Sequence, residues 1–390
     1  MMPLERQKGL SLVELMISLA VGSIITAGVA QLFTANSEAY QMLQGQARIQ
    51  ESARFALEFM RRDIENAGNL GCNSSMIPGE STNFALNQRD SNNLPYEFDL
   101  LDGMVKGYDG QINGTWLPNS TTKAPAPHVR GFSDIPSTIG STSTGTFVDG
   151  TGIDTSAIVV GTDILVLRGI EGADVPNFLS SAMLTSSETN IEITPPSDGV
   201  AGLGFGVGEL AVIHDCEKGT LFQVTGITAG TPILLQHATG TADHENANDR
   251  LSTINTFAVD AAVSPLITTI YFVAPGTGEN SSGDQPLSLW RKQGLNAPVE
   301  IVEGIEDLQV TYGIGNDTFP RRYVPANLIG DDTVFTVRVA IVANTVDDVG
   351  GSVRTTHGCA VQTCYPGESG ASGIDGLQRR SFSRTLAVKN

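Results

Sequence analysis

Residues 1–35 read MMPLERQKGLSLVELMISLAVGSIITAGVAQLFTA. Residues 1–9 form a short polar leader ending Arg6-Gln7-Lys8-Gly9. From Leu10 the chain is apolar as far as Ala35, interrupted by one charge, Glu14. A bilayer core is crossed by about 20 apolar residues in a helix, so the run is long enough to span. Arg6 and Lys8 precede it, and the next basic residue is Arg48. That asymmetry leaves the leader in the cytoplasm and sends the rest outside. A secretory signal peptide has a shorter apolar core, about 7–15 residues, and a small-residue cleavage site for which Gly28-Val29-Ala30 is a poor substitute. A plain anchor fits the hydropathy but not Glu14, because an acidic side chain inside a bilayer is costly and marks function.

The segment Gly9-Leu10-Ser11-Leu12-Val13-Glu14-Leu15 resembles the class III signal cut by prepilin peptidase in type IV pilins and type II secretion pseudopilins. The resemblance implies cleavage between Gly9 and Leu10 and N-methylation of the new terminal Leu10. It also makes Glu14 the fifth residue of the processed chain, the position at which those families carry a glutamate that guides assembly. Leu10 replaces the commoner phenylalanine.

No proline occurs between Pro3 and Pro78, so the helix is expected to continue past the membrane to Ala67, with Gly68 as its stop, about 90 Å in all. Its outer part carries Ile49, Ala53, Ala56, Met60, Ile64 and Ala67 at three- and four-residue spacing, one face able to pack on a folded domain. Arg54–Glu58 and Glu58–Arg62 have the spacing of ion pairs on the opposite, wetted face. The expected organisation is a leader over 1–9, a transmembrane and assembly half-helix over 10–35, an outer half-helix over 36–70, and a β-rich exported domain over 71–390.

Composition supports that division. The chain has a formal net charge of −19, and loss of the leader, with Arg6, Lys8 and Glu5, makes it one unit more negative. Such acidity excludes a nucleic-acid backbone binder, which needs clustered Lys and Arg. Residues 73–160 are polar and rich in Gly, Ser and Thr, and read as a loop-rich insertion that could hold a short hairpin. Beyond 162, short apolar runs between turns predict strands at 163–168, 209–214, 220–225, 268–274, 287–292, 307–314, 333–343 and 381–388. In 333–343, Phe335, Val337, Val339 and Ile341 alternate with Thr336 and Arg338, as in a half-buried antiparallel strand. The predicted fold is therefore α+β and pilin-like: a long N-terminal helix on an antiparallel sheet with large loops.

Several segments, in order, resemble the PilW family of type IV pilus minor pilins. They are TDILVLR at 162–168, DCEKGTLFQVT at 215–225, IYFVA at 270–274, LSLWR at 287–291, VEGIEDLQVTYG at 302–313 and SRTLAVKN at 383–390. The resemblance implies a non-enzymatic subunit of the complex that starts the pilus and ends at its tip, supporting adhesion or motility. Its implied partners are prepilin peptidase, other minor pilins and the major pilin, the inner-membrane assembly platform, and a large tip adhesin. The precursor would be a single-pass inner-membrane protein with its domain in the periplasm. Glu14 would pair with the terminal amine of Leu10 or of a neighbouring pilin. A type II secretion pseudopilin of the J type is the alternative, and an anchored surface hydrolase a more distant one.

Four cysteines in an exported chain suggest two disulfides, for which three connectivities exist. Cys359 and Cys364 are close enough for a small loop, which would leave Cys72 to Cys216. The competing reading is zinc. His214-Asp215-Cys216 and His357-Gly358-Cys359 are two His-x-Cys pairs, able in principle to form a Cys₂His₂ site. Acidic clusters at Asp243-His244-Glu245 and Asp347-Asp348 lack the spacing of a calcium loop. There is no G-x-S-x-G, P-loop or H-E-x-x-H, and no catalytic residue, metal or cofactor is expected.

Overall fold

The computed structural model describes residues 11–69, 104–111, 116–117, 158–170, 177–183, 190–215, 219–238, 246, 256–294, 296–315, 319–330, 332–349 and 377–388. One helix, α1 (Leu12–Asn66), runs through 55 residues, about 80 Å. Gly22 and Gly28 do not interrupt it, and a Cβ on either would meet nothing within 4 Å. Its apolar window makes no buried contact with the domain. Farther on, Gly45, Ile49, Ala53, Ala56, Leu57, Met60 and Ile64 turn inward and are buried. This is the expected stripe, with Gly45 and Leu57 added. Its larger members contribute about 1.5–3 kcal/mol each on leaving water. Its small members allow close approach: a Cβ on Gly45 would lie 2.8 Å from Thr345 Cγ2. The helix ends as the sequence suggests. Ala67 is extended, Gly68 takes a left-handed φ of 79°, and the Gly68 N–H donates to Arg168 O at 2.9 Å.

The strands follow in chain order. They are β1 (Val105–Gly110), β2 (Trp116–Leu117), β3 (Ile164–Ile170), β4 (Asn177–Phe178), β5 (Asn190–Ile193), β6 (Leu210–His214), β7 (Gly219–Gln223) and β8 (Gly226–Thr228). Then come β9 (Ile233–Gln236), β10 (Ala262–Pro275), β11 (Leu287–Gln293), β12 (Val299–Glu303), β13 (Ile305–Gly315), β14 (Arg322–Val324), β15 (Thr333–Asn344) and β16 (Arg379–Ala387). Each of the eight expected strands is present. The additional ones are short or polar, too brief to show a period of their own. The β1–β2 hairpin falls inside the stretch read as a loop-rich insertion, and β1 adds to the main sheet beside β3.

The main sheet has the order β12-β11-β10-β3-β1-β2. Strand β10 does double duty. Its last residues pair with β3 and β11, while Ala262–Pro265 pair with β6 and, in part, β4. Strands β4 to β9 thus form a lobe inserted between β3 and β10. It has its own core around Leu179, Ile191, Ile213, Phe222 and Phe257. A second sheet, β14-β13-β15-β16, follows directly from the first, because one residue, Gly304, joins β12 to β13. Its φ of 76° turns the chain there, and a Cβ would lie 2.7 Å from Asn344 O. The buried face of α1 shares one core with β3, β10, β13 and β15.

Two local expectations are corrected. Phe335 does not join the buried face of β15. Gly313 pairs with Thr336 and Ile314 with Val334, so Phe335 is the extra residue of a β-bulge. The bulge reverses the alternation before it and buries Val334 instead. Glu58 pairs neither with Arg54 nor with Arg62. It accepts from Arg61 Nη2 at 2.6 Å and from Arg384 Nη1 of β16 at 3.2 Å. A contact to the sheet, unavailable to an isolated helix, redirects the carboxylate.

Candidate functional site

The candidate site is the bare half of α1. Leu12 and Phe33 are 76% and 75% exposed, and Ile17, Leu19, Ile24 and Leu32 are likewise uncovered. A core helix would bury these side chains, so lipid or other helices must cover them. The polar residues within the span fit that surrounding. Ser18, Ser23 and Thr26 donate their hydroxyls to the helix's own carbonyls, to Glu14 O, Ala20 O and Gly22 O, at 2.7–2.8 Å. No donor of these three is left for water to satisfy. Glu14 stands apart as an exposed carboxylate in the first turn, where the helix dipole favours negative charge. Gly9 and Leu10 lie outside the described residues.

The outer half of α1 is locked to the domain by polar contacts as well as by its apolar face. Asp63 Oδ2 accepts from the Tyr271 hydroxyl at 2.5 Å and from Arg291 Nε at 2.8 Å, and Oδ1 accepts from Arg291 Nη2 at 3.0 Å. Burial, reinforced by the Asp63 charge, pushes the Tyr271 phenol above its ordinary range. At the helix end, Asn66 Nδ2 donates to Ile170 O at 2.8 Å.

A second polar lock joins the two sheets. The buried Asp163 carboxyl accepts the Gly110 N–H of β1 at 2.8 Å and the Val310 N–H of β13 at 2.7 Å. Burial holds it well above the usual carboxylate range, against the lowering effect of those two amides. Beside it, Trp116 Nε1 donates to Thr162 O at 2.9 Å. Asp63, Asp163, Tyr271 and Arg291 tie the helix and the two sheets together, and sequence reasoning did not single them out. The last three lie within segments already quoted as family-like. The available signal was a charged or hydroxylated residue inside an otherwise apolar strand.

Of the residues weighed as metal ligands, His214, Asp215, Asp347 and Asp348 fall within the described residues. His214 Nε2 lies 3.0 Å from Ser264 Oγ, and burial lowers its imidazole's affinity for a proton. Asp347 accepts the Ser281 N–H at 2.8 Å. Among the described residues, no group of three or more His, Cys, Asp or Glu side chains could hold a metal. Cys72, Cys216, Cys359 and Cys364, with His357 and the 243–245 cluster, lie outside the described residues.

A membrane-length bare half-helix whose buried half carries an antiparallel-sheet domain defines a pilin-like α+β protein. Residues 5–30 match the family described as Prokaryotic N-terminal methylation motif, and residues 270–390 match Type IV Pilus-assembly protein W. The two matches together support a type IV pilin of the PilW kind. No curated protein and no solved structure matches it. The motif implies processing by prepilin peptidase, anchoring in a membrane and assembly with pilus components. The matched 270–390 segment contains both sheet residues that grip Asp63, Tyr271 and Arg291.

Proposed function

We propose that this minor pilin belongs to the complex that primes type IV pilus assembly and remains at the fibre tip, in a structural and not a catalytic role. The observation that supports the reading is the exposed apolar half-helix with Glu14 as its one charge. Prepilin peptidase cuts between Gly9 and Leu10 and methylates Leu10, which keeps its positive charge. The Glu14 carboxylate then pairs with the amine of Leu10 or of a neighbouring subunit. In a low-dielectric bilayer or fibre core that attraction is several times stronger than in water. It sets the axial register as the subunit leaves the membrane.

In this reading the β domain lies in the periplasm, held by Cys72–Cys216 and Cys359–Cys364 disulfides, and later presents a large adhesin. Other minor pilins, the major pilin and the inner-membrane platform are its assembly partners. Chromosomal deletion tests the reading. Surface pili should become scarce, and immunogold label on complemented cells should sit at fibre ends. Normal piliation, or label along the shaft, would sink it.

A further inference from the structure

A groove of about 770 Å³ runs beside α1 where the helix leaves its apolar stretch, between the helix, β12 and residues 344–349. Its floor is apolar, with Phe55, Ile301 and Val302. Its rim carries five carboxylates, Glu51, Glu279, Glu303, Asp347 and Asp348, against one guanidinium, Arg48. Asp347 accepts the Ser281 N–H at 2.8 Å, which holds its carboxyl below the usual carboxylate range. Asn344, which lines the groove, has a buried Oδ1 with no donor among the described residues. A surplus of negative charge over an apolar floor calls for a cationic donor on an apolar stem.

Height above the membrane narrows the source. Gln41 stands about 9 Å beyond Ala35 along the helix, and Phe55 about 30 Å. An anionic lipid surface is repelled by the rim. A second subunit anchored in the same bilayer holds its own juxtamembrane helix at this level.

We propose that the groove between α1 and β12 receives a Lys- or Arg-bearing turn from the juxtamembrane helix of a second, different anchored subunit. The proposal rests on the pilus-assembly reading only in requiring such a subunit. Its contacts are the rim carboxylates to the cation and Phe55 to the stem. A further copy of this acidic chain is the poorer occupant, because the two domains repel.

The test places a photo-cross-linking amino acid at Gln44 of the full chain in its native membrane and sequences the joined peptide by mass spectrometry. The expected product is a peptide from another anchored subunit with Lys or Arg near the joined residue. Its yield should fall at least tenfold in Glu51→Lys/Glu279→Lys/Glu303→Lys. Reversal of Glu192, Asp198 and Asp260, away from the groove, should leave it unchanged. Raising salt from about 0.1 to about 0.5 M should weaken it in the unaltered chain, a check independent of whether the variants fold. Exchange of the partner's cation for Glu should restore the product in the reversed chain. Joining to a second copy, to a segment without Lys or Arg, or at a yield indifferent to charge would overturn the proposal. Scarce pili on deletion combined with an indifferent cross-link would remove the groove and leave the function standing.

Discussion

Arg291 grips Asp63 across 228 residues of sequence, its Nε 2.8 Å from Oδ2 and its Nη2 3.0 Å from Oδ1. Both side chains are 19% exposed, and the Tyr271 hydroxyl completes the set. The fork geometry makes the contact directional, so it fixes the rotation of α1 about its axis as well as its distance from the sheet. The rotation in turn decides which face the half-helix below the domain presents to neighbouring subunits.

Arg291→Ala should therefore destabilise the domain by roughly 2–4 kcal/mol, because it strands the partly buried Asp63 carboxylate. Asp63→Ala should cost a similar amount. The double variant should cost clearly less than their sum, with a coupling above about 1 kcal/mol. Urea unfolding of the detergent-solubilised chain measures all three. Strict additivity would mean that the two residues stabilise the domain separately and do not set the helix.

Asp163 should matter for a different reason. Asp163→Ala removes the acceptor of two amide N–H groups, at Gly110 and Val310, each worth about 1–3 kcal/mol when buried and unmet. It should also alter the pH response. Because the folded carboxyl binds its proton more readily than the unfolded one, its contribution is greatest at or below the ordinary carboxylate value. That contribution falls as pH rises through the raised folded value. Thermal melts of the unaltered chain and the variant over that window should show the fall in the first and its absence in the second.

Gly107 of β1 lies against the Tyr312 ring, and a Cβ there would overlap the phenolic oxygen. Gly107→Ala should cost about 1–3 kcal/mol through forced displacement of a buried ring. Tyr312→Phe, which removes the oxygen, should recover part of that loss in the same background. If the second substitution added to the first, the clash would lie elsewhere.

The helix was legible in the sequence because its signals are local. Apolar length, the absence of proline up to Pro78, the stripe from Ile49 to Ala67 and the stop at Gly68 all lie within one segment. The longer strands were legible for the same reason. What was hidden depends on pairing. The bulge at Phe335 exists only because β13 and β15 meet out of step. Glu58 turns to Arg384 only because β16 lies beside the helix. In the lobe of β4 to β9, β6 and β7 were read from the sequence, whereas β4, β5, β8 and β9 have only two to four residues, too short for a period to show. The candidate site divided likewise. Glu14 was visible as a lone charge in an apolar run, whereas Asp63 looked like one more acid on a wetted helix.

Glu14 gives the sharpest test of assembly. It is exposed, in the first turn, and far from every domain contact of α1, whose buried residues begin at Gly45. Glu14→Ala therefore leaves the domain's packing intact and makes the span no less hydrophobic, so insertion, processing and protein level should persist. What it removes is an ionic partner for a terminal amine. Glu14→Gln separates charge from shape, since it keeps the length and a hydrogen-bonding oxygen but not the charge. Both variants should give normal immunoblots of the membrane fraction and few surface pili by electron microscopy. Wild-type piliation with Glu14→Gln and loss with Glu14→Ala would assign the residue to hydrogen bonding and not to ion pairing. Full piliation in both would remove Glu14 from docking. A lowered protein level in both would make it a residue required for stability in the bilayer.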